Sequence, residues 1–206
     1  MKIYKDFEQW TEDWFNIRKL KMTGSNANTI SVAGKWLDTY ILDLISEYYS
    51  SWEKEIYTNE HIERGKELEC TARQLYELET WNTIEQVAFI EYSEFIWVSP
   101  DWLVWDDWLI EIKCKGDKAH FKLLINWIWN IEKEYIAQIQ MQMFVTNRVW
   151  CDFISFNPNY KKSLIIHRIT QDLEFIEKLK KGLLIWQEKI KKICDIYENI
   201  LKLNNK

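Results

Sequence analysis

The sequence reads SPDWLVWDDWLIEIKC over residues 99–114, and this segment predicts a β-hairpin with a charged face. Side chains alternate between the two faces of a strand, so Glu111 and Lys113 share one face while the apolar residues beside them share the other. The pair Asp106-Asp107 is typical of a turn, and the strand that returns from it would bring Glu111 alongside Asp101. The segment therefore predicts that two carboxylates and one ammonium group meet at a single point of a sheet.

The two carboxylates of this hairpin match the ligands that Mg²⁺ prefers. Magnesium is a hard cation that takes one or two carboxylates and completes its octahedral shell with water and phosphate oxygens. Asp101 and Glu111 would hold one or two ions, with Mn²⁺ as the alternative metal, and Lys113 would orient the attacking water in phosphodiester hydrolysis. The same spacing also occurs on the solvated face of an ordinary amphipathic strand. Other segments are needed to decide between a metal site and a plain surface strand.

Two predicted helices carry polar side chains that could reach such a site. Residues 61–79 have apolar residues at helical spacing, and Glu69 sits beside this apolar stripe, where its carboxylate could face a metal. Residues 135–145 predict a second helix, on which Gln138 and Gln142 lie off the apolar face. Solvent exposure would explain all three side chains equally well. The helices therefore supply candidates for the site without deciding its existence.

Seven short blocks of sequence occur in an order that resembles one known family. The blocks cover residues 63–69, 72–73, 76–77, 99–101, 111–114, 135–142 and 145–146. They are similar to the YqaJ-type viral recombinase family, which includes the phage lambda-type exonucleases, a branch of the PD-(D/E)xK nucleases. The resemblance extends over about residues 14–160 and implies a restriction-endonuclease-like core.

The resemblance also implies a role for each matching residue. The metal ligands would be Asp101, Glu111, Glu69 and the backbone carbonyl of Ile112, and the catalytic lysine would be Lys113. Gln138 would support the metal site from the neighbouring helix. The 5′-terminal phosphate of DNA would be bound by Arg18, Ser25 and Ser99. Together these residues form the candidate active site.

The activity implied by the resemblance is that of a Mg²⁺-dependent 5′→3′ exonuclease acting on double-stranded DNA in phage or prophage recombination. It would hydrolyse phosphodiester bonds from double-stranded DNA ends and leave 3′ single-stranded tails for an annealing protein. The resemblance further implies a homo-oligomer in the form of a trimeric ring. Two alternatives remain open: a structure- or site-specific endonuclease of the same superfamily, and a non-catalytic DNA-binding subunit of recombination.

The predicted fold class is α/β, or α+β, with a small central mixed β-sheet flanked by helices and a long C-terminal helix. Strands are predicted near residues 85–90, 95–98, 109–114, 149–156 and 164–169, and helices over the first 80 residues, from about residue 132, and over residues 173–203. No linker or repeat divides the 206 residues. We therefore expect one nuclease domain, with a helical part (1–60), a catalytic core (61–170) and a C-terminal helix (171–206).

Charge and hydropathy limit which partners and which cellular location are expected. The formal net charge is −5, yet residues 14–37 contain four basic residues and no acid. A second basic group consists of Lys161, Lys162 and Arg168. Near His120, a further group of Lys115, Lys118 and Lys122 could touch a DNA backbone or form a solvated loop. No apolar run is long enough to span a bilayer, and the first residues do not resemble a signal peptide. We therefore expect no membrane contact and a location in the bacterial host cytoplasm.

Tryptophan is unusually frequent and glycine unusually rare, with 13 Trp and 5 Gly. The family that the chain resembles has glycine around the hairpin, where this chain has Trp97, Trp102, Trp105 and Trp108. A small or turn residue would also be easier to accept at Trp36, Trp81, Trp127 and Trp186. Two explanations remain open: the tryptophans pack as an aromatic cluster, or UGA codons that the natural host reads as glycine are written here as tryptophan.

Overall fold

The computed structural model describes residues 1–5, 9, 11–50, 60–126 and 131–204. The helices are α1 (Glu12–Ile17), α2 (Ala27–Val32), α3 (Lys35–Tyr49), α4 (Glu60–Thr80), α5 (Asp117–Asn126), α6 (Lys133–Thr146) and α7 (Leu173–Asn204), and a 3-10 turn spans Gly24–Asn26. The strands are β1 (Lys2–Tyr4), β2 (Ile84–Glu85), β3 (Phe89–Ser93), β4 (Ile96–Val98), β5 (Trp102–Val104), β6 (Trp108–Cys114), β7 (Trp150–Phe156) and β8 (Leu164–Thr170).

The strands form a five-stranded sheet and a three-stranded sheet. The larger sheet has the order β2-β5-β6-β7-β8, in which β6 and β7 run parallel and the other neighbouring pairs run antiparallel. The smaller sheet is antiparallel, with the order β1-β3-β4. The parallel pair lies inside the larger sheet and is largely apolar, as is typical of strands buried on both faces. The predicted mixed sheet flanked by helices, with a long C-terminal helix, is confirmed.

Two secondary-structure predictions in the N-terminal half differ from the structure. Residues 2–4, expected to be helical, form β1, because Tyr4 pairs with Phe89 far along the chain and no local pattern signals such a pairing. The single strand predicted at residues 85–90 is divided between β2 in the larger sheet and β3 in the smaller one. The buried link Val87-Ala88 carries the chain from one sheet to the other.

The basic segment after β6 is a helix rather than a solvated loop. Lys118 and Lys122 lie on α5, which also buries His120 and Leu123. These two buried residues are three positions apart, so they lie on one side of the helix. The inward side holds the segment against the protein and leaves the lysines on the outer side.

Each face of the larger sheet has its own apolar core. On one face, Ala72 and Tyr76 of α4 pack in a cluster with Ile110 of β6. On the other face, Leu109 belongs to the core that β6 and β7 share with α2, α3, α6 and α7. The alternation predicted for β6 is therefore confirmed, and Glu111 faces α6 from within the sheet.

The apolar stripe of α7 packs on the core of its own chain. Its buried residues are Ile176, Leu179, Leu183, Trp186 and Ile190. An added Cβ at Gly182 would lie 1.9 Å from the carbonyl oxygen of Ile30, so only glycine lets α2 approach α7 this closely. The stripe is therefore used within the chain and does not indicate contacts between subunits. The trimeric ring stays a prediction. Within the described ranges, no helix is long and apolar enough to cross a membrane.

Candidate active site

The hairpin of β5 and β6 sets Asp101 opposite Glu111, as the sequence predicts. The antiparallel register of the two strands, continued by one step past Trp102, aligns the two carboxylates. The turn between the strands falls at residues 105–107. Oδ2 of Asp101 accepts a 2.6 Å hydrogen bond from the backbone N–H of Ile112, which fixes the side chain against the end of β6.

Glu111 is fully buried and is held by three hydrogen-bond donors. Nε2 of Gln138 donates to Oε1 at 2.6 Å, and Nε2 of Gln142 donates to Oε2 at 2.8 Å. Nζ of Lys113 donates to Oε1 at 2.5 Å. Hydrogen bonds to a charged acceptor are short and strong, so this set fixes the carboxylate in one orientation. Both glutamines therefore face the hairpin rather than solvent.

Burial and the charge of Glu111 together raise the pKa of its acidic neighbours. Burial, followed by the charge of Glu111, holds the pKa of Asp101 well above its usual range. Burial also raises the pKa of Glu69 on α4; Lys113 opposes that rise, and Glu111 adds to it. Burial alone would lower the pKa of Lys113, but the carboxylates of Glu111 and Asp101 raise it. Three acids thus interact around one ammonium group, which stays protonated.

This arrangement of carboxylate oxygens suits a divalent cation. Carboxylate oxygens are the hard ligands that Mg²⁺ and Mn²⁺ take, and three carboxylates beside one ammonium leave an excess of negative charge for the ion to offset. Among the described residues, no three Asp, Glu, His or Cys side chains already stand close enough together to cage an ion. Asp101 and Glu111 are adjacent, and Glu69 interacts electrostatically with Glu111 and Lys113. The role of the Ile112 carbonyl as a ligand stays a prediction.

The residues predicted to bind a 5′ phosphate lie in two neighbouring segments. The guanidinium of Arg18 lies 3.7 Å from the ring centroid of Trp14, and burial lowers its pKa to about 10. The hydroxyl of Ser25 lies 3.1 Å from that of Thr23. Ser99 precedes the hairpin, and in the described part of the chain no hydrogen bond joins it to the other two predicted residues.

Tyr40 connects Arg18 to the turn that carries Ser25. Burial raises the pKa of its hydroxyl to about 12, and interactions with Thr23, Arg18 and Asn26 oppose that rise. The same turn packs on α6, since an added Cβ at Gly24 would lie 3.3 Å from Cγ of Gln138. The segment predicted to bind phosphate is therefore a direct neighbour of the glutamine that holds Glu111.

Sequence analysis assigned no specific role to two residues near the site, although it noted Gln142 as a polar residue of the second predicted helix. Gln142 lies four residues after Gln138, and residues at this spacing share a helix face, so the sequence contained a signal that both amides would reach Glu111. Tyr40 carried no such signal, because its partners come from a turn whose position against α3 depends on the whole fold.

Comparisons with known proteins place this chain among nucleases. Residues 13–149 match the profile of the YqaJ-like viral recombinase domain. The crystal structure of an alkaline exonuclease, LHK-Exo from Laribacter hongkongensis, is 29% identical, with a TM-score of 0.76, and the match covers 92% of this chain and 100% of that chain. LHK-Exo in complex with dAMP gives 29% identity and a TM-score of 0.81, covering 94% and 100%.

A more distant structure shares the fold. A phage-related exonuclease from Haemophilus somnus is 20% identical, with a TM-score of 0.58, over 86% of this chain and 96% of that chain. Comparison with curated proteins gives no match.

Proposed function

The chain belongs to the YqaJ-like viral recombinase family and is a nuclease, and we propose that it is a Mg²⁺-dependent exonuclease that degrades one strand of linear double-stranded DNA from its 5′ end. The observation that carries the proposal is the buried Glu111 carboxylate, which two amides and one ammonium hold opposite Asp101. A carboxylate oriented this tightly inside a cluster of acids suits a metal ligand better than a surface charge.

In this proposal the acids hold the metal and the lysine acts on the water. Asp101, Glu111 and Glu69 are the side-chain ligands, and the carbonyl of Ile112 completes the set. A bound Mg²⁺ supplies a water of lowered pKa and positive charge beside the scissile phosphate. Lys113 is protonated at neutral pH, so it orients that water and offsets developing negative charge rather than accepting a proton. Gln138 keeps Glu111 oriented between turnovers.

The proposed 5′→3′ direction depends on Arg18, Ser25 and Ser99. Arg18 is partly buried against Trp14 and has no salt bridge among the described residues, so its guanidinium is available to a phosphate. The turn that carries Ser25 packs beside the metal site, which supports binding of the terminal phosphate and cleavage of the next bond in one place. The product would be a 3′ single-stranded tail that an annealing protein receives, and the working form would be a ring-shaped trimer.

Digestion of linear duplex DNA, end-labelled linear duplex DNA and covalently closed circular duplex DNA tests this proposal. With Mg²⁺ we expect release of nucleotides from linear duplex DNA, loss of a label from the 5′ end before loss of one from the 3′ end, and no cleavage of covalently closed circular duplex. EDTA should stop the reaction. Cleavage of the closed circle would instead identify an endonuclease. Binding of linear DNA without release of nucleotides would identify a non-catalytic subunit.

A further inference from the structure

A cavity lined by lysines lies beside the candidate active site. Its volume is about 420 Å³, and it is lined by Lys115, Lys118, Ala119, Lys122, Leu123 and Glu132. Three ammonium groups and one carboxylate give this lining two net positive charges. In a chain whose net charge is −5, the lysine cavity is a local concentration of positive charge.

The lysine cavity begins two residues after the proposed catalytic lysine. Nζ of Lys113 lies 5.1 Å from the ring centroid of Tyr135, and Nζ of Lys115 lies 4.0 Å from the same centroid. Two residues of extended chain span about 7 Å. Successive nucleotides of one DNA strand are spaced by about 3.4 Å along the helix axis. A strand whose phosphate is at the metal site therefore has another phosphate within reach of this cavity.

The walls of the lysine cavity suit a nucleotide. Lys115 is largely buried, donates to Glu132 at 2.8 Å and rests on Tyr135, so its ammonium is held in place. Lys118 and Lys122 are four residues apart on α5 and therefore share one face. Lys118 lies in the first turn of α5, where the helix dipole also favours an anion. The remaining apolar wall can pack against a sugar or base.

We propose that the lysine cavity binds a phosphate of the DNA strand that passes the metal site. The inference rests on the proposed function, since it takes DNA as the substrate. Phosphate contacts of this kind fix the position of a nucleic acid without reading its sequence, which an exonuclease requires.

The salt dependence of DNA binding tests the lysine cavity. We compare the Asp101→Asn chain alone, with Lys118→Gln and Lys122→Gln added, and with Lys191→Gln and Lys192→Gln on α7 added as a control of equal charge. Binding of a labelled linear duplex is followed by fluorescence anisotropy in EDTA over a series of NaCl concentrations. Each lost phosphate contact reduces the slope of log K against log[salt] by about one, so the cavity variant, which loses its one phosphate, should lose a slope of about one. The control should keep the slope of its parent.

Three results would separate the possible failures. An unchanged slope in the cavity variant, or an equal loss in the α7 control, overturns the lysine cavity as a DNA contact. Loss of inhibition by a mononucleotide with an unchanged slope assigns the cavity to the released product and also overturns it. Failure of the unmodified chain to degrade linear duplex in Mg²⁺ overturns the proposed function instead. Thermal unfolding of all variants confirms that each is folded.

Two exposed tryptophans carry a separate inference, because their backbone is left-handed. Trp81 has φ 58° and is 89% exposed, and Trp105 has φ 46° and is 65% exposed. Bulky residues rarely adopt positive φ, whereas glycine does so readily. Trp81 follows α4, and its backbone N–H donates to the carbonyl of Glu77 at 2.8 Å. Helices commonly end on glycine at this position. Trp105 lies in the hairpin turn.

Other tryptophans in the same part of the chain are well packed. Trp97 is 6% exposed, stacks on Phe89 at 4.3 Å and donates to the carbonyl of Ser93. Trp108 stacks on Trp150 at 5.1 Å. Among the unusual tryptophans, the structure thus separates packed ones from Trp81 and Trp105, which are exposed at positive φ, while Trp36 is exposed within α3. Trp127, from the sequence-based set, lies outside the described residues.

We infer that positions 81 and 105 are glycine in the natural protein, whose host reads UGA as glycine. Peptide mass spectrometry of protein isolated from that host should show both peptides lighter by the difference between tryptophan and glycine. Tryptophan at both positions overturns the inference.

A stability comparison in recombinant protein tests the backbone argument behind this inference. Trp81→Gly and Trp105→Gly should each raise the melting temperature, because they relieve strain at positive φ. The matched control is Trp36→Gly, which is 79% exposed but lies within α3 and should lower it. Equal shifts in all three variants would overturn the argument.

Discussion

Two buried carboxylates on neighbouring strands of the larger sheet have opposite surroundings. Asp152 of β7 receives two hydrogen bonds from the guanidinium of Arg168, at 2.8 and 2.9 Å, and one from the hydroxyl of Tyr76 at 2.9 Å. In the described part of the chain, Glu111 of β6 has a single ammonium partner and lies among two further acids. The two positions are one step apart in the β6-β7 register.

The difference separates a structural carboxylate from one suited to function. The charge of Asp152 is matched by one guanidinium, so the cluster is satisfied within the chain. The acids around Glu111 exceed their cations, and uncompensated like charges in a buried site reduce stability. Such a cluster lowers the stability of the metal-free fold, and an external cation that binds the acids would offset this loss. Substitutions in the two clusters should therefore have opposite consequences for activity and stability.

The largest effect should come from Asp101→Asn. Asparagine keeps the shape and can still accept the Ile112 N–H, but it removes one charge from the proposed metal site. We expect nucleotide release from linear duplex to fall by about three orders of magnitude or more, because a catalytic metal contributes several kcal/mol and each 1.4 kcal/mol is tenfold. The metal-free variant should unfold at a higher urea concentration than the unmodified chain. Full activity in this variant would remove Asp101 from the mechanism.

The reciprocal change is Arg168→Gln, which leaves Asp152 buried without its guanidinium. Breaking a buried pair costs about 3–5 kcal/mol, and the half-exposed side chain of Arg168 places this site near the lower end. We expect the free energy of unfolding to fall by about 3 kcal/mol, measured in urea. Activity per folded molecule should be unchanged. A variant of normal stability but reduced activity would show that the Asp152 cluster also serves catalysis.

The pH dependence of stability should distinguish the same two clusters. The pKa of Asp101 is raised in the folded chain, so the metal-free folded state binds more protons than the unfolded state above the usual aspartate pKa of about 4. Stability therefore falls as pH rises from about 4 toward the raised pKa, by up to about 1.4 kcal/mol for each pH step of one within that interval. Mg²⁺ should abolish this fall, and Asp101→Asn should remove the part of it that comes from Asp101, leaving the smaller part that comes from the raised pKa of Glu69. Urea unfolding at a series of pH values, with and without Mg²⁺, measures it.

Equal pH dependence with and without Mg²⁺ would contradict the proposed metal site. It would mean that the acids around Glu111 do not change their charge balance when the ion is supplied. Arg168→Gln is the matched control, because it leaves the acids around Glu111 intact and should keep the effect of Mg²⁺ on the pH dependence.

Sequence reasoning located the part of the site that is local in the chain. The hairpin and the alternation of β6 follow from neighbouring residues, so the pairing of Asp101 with Glu111 was predictable. The roles of Gln138 and Arg18 came only from the family resemblance, since their distances to β6 depend on how separate helices pack. Asp152 could not be recognised in the apolar run of β7. Its structural role depends on its hydrogen bonds with Arg168 and Tyr76, which are distant from it in sequence.

The smallest effect we expect is that of Gln142→Met, which removes one amide from Glu111. Methionine fills a similar volume, and the buried Oε1 of Gln142 has no hydrogen-bond partner among the described residues, so its removal should offset the lost bond to Glu111. The free energy of unfolding should therefore change little. Looser positioning of the carboxylate should reduce kcat about tenfold, which corresponds to about 1.4 kcal/mol.

The matched control for this change is Gln140→Met on the same helix. Gln140 donates to the carbonyl of Thr170 and accepts from the N–H of Asp172, so both ends of its amide are used away from Glu111. Its loss should destabilise the fold by about 1–3 kcal/mol and leave kcat unchanged. If the two variants lost kcat equally, Gln142 would act through general packing of α6. If only Gln142→Met lost kcat, the Gln142 amide would be a positioning group for Glu111. Asp152 does not need such support, because its charge is already matched by Arg168.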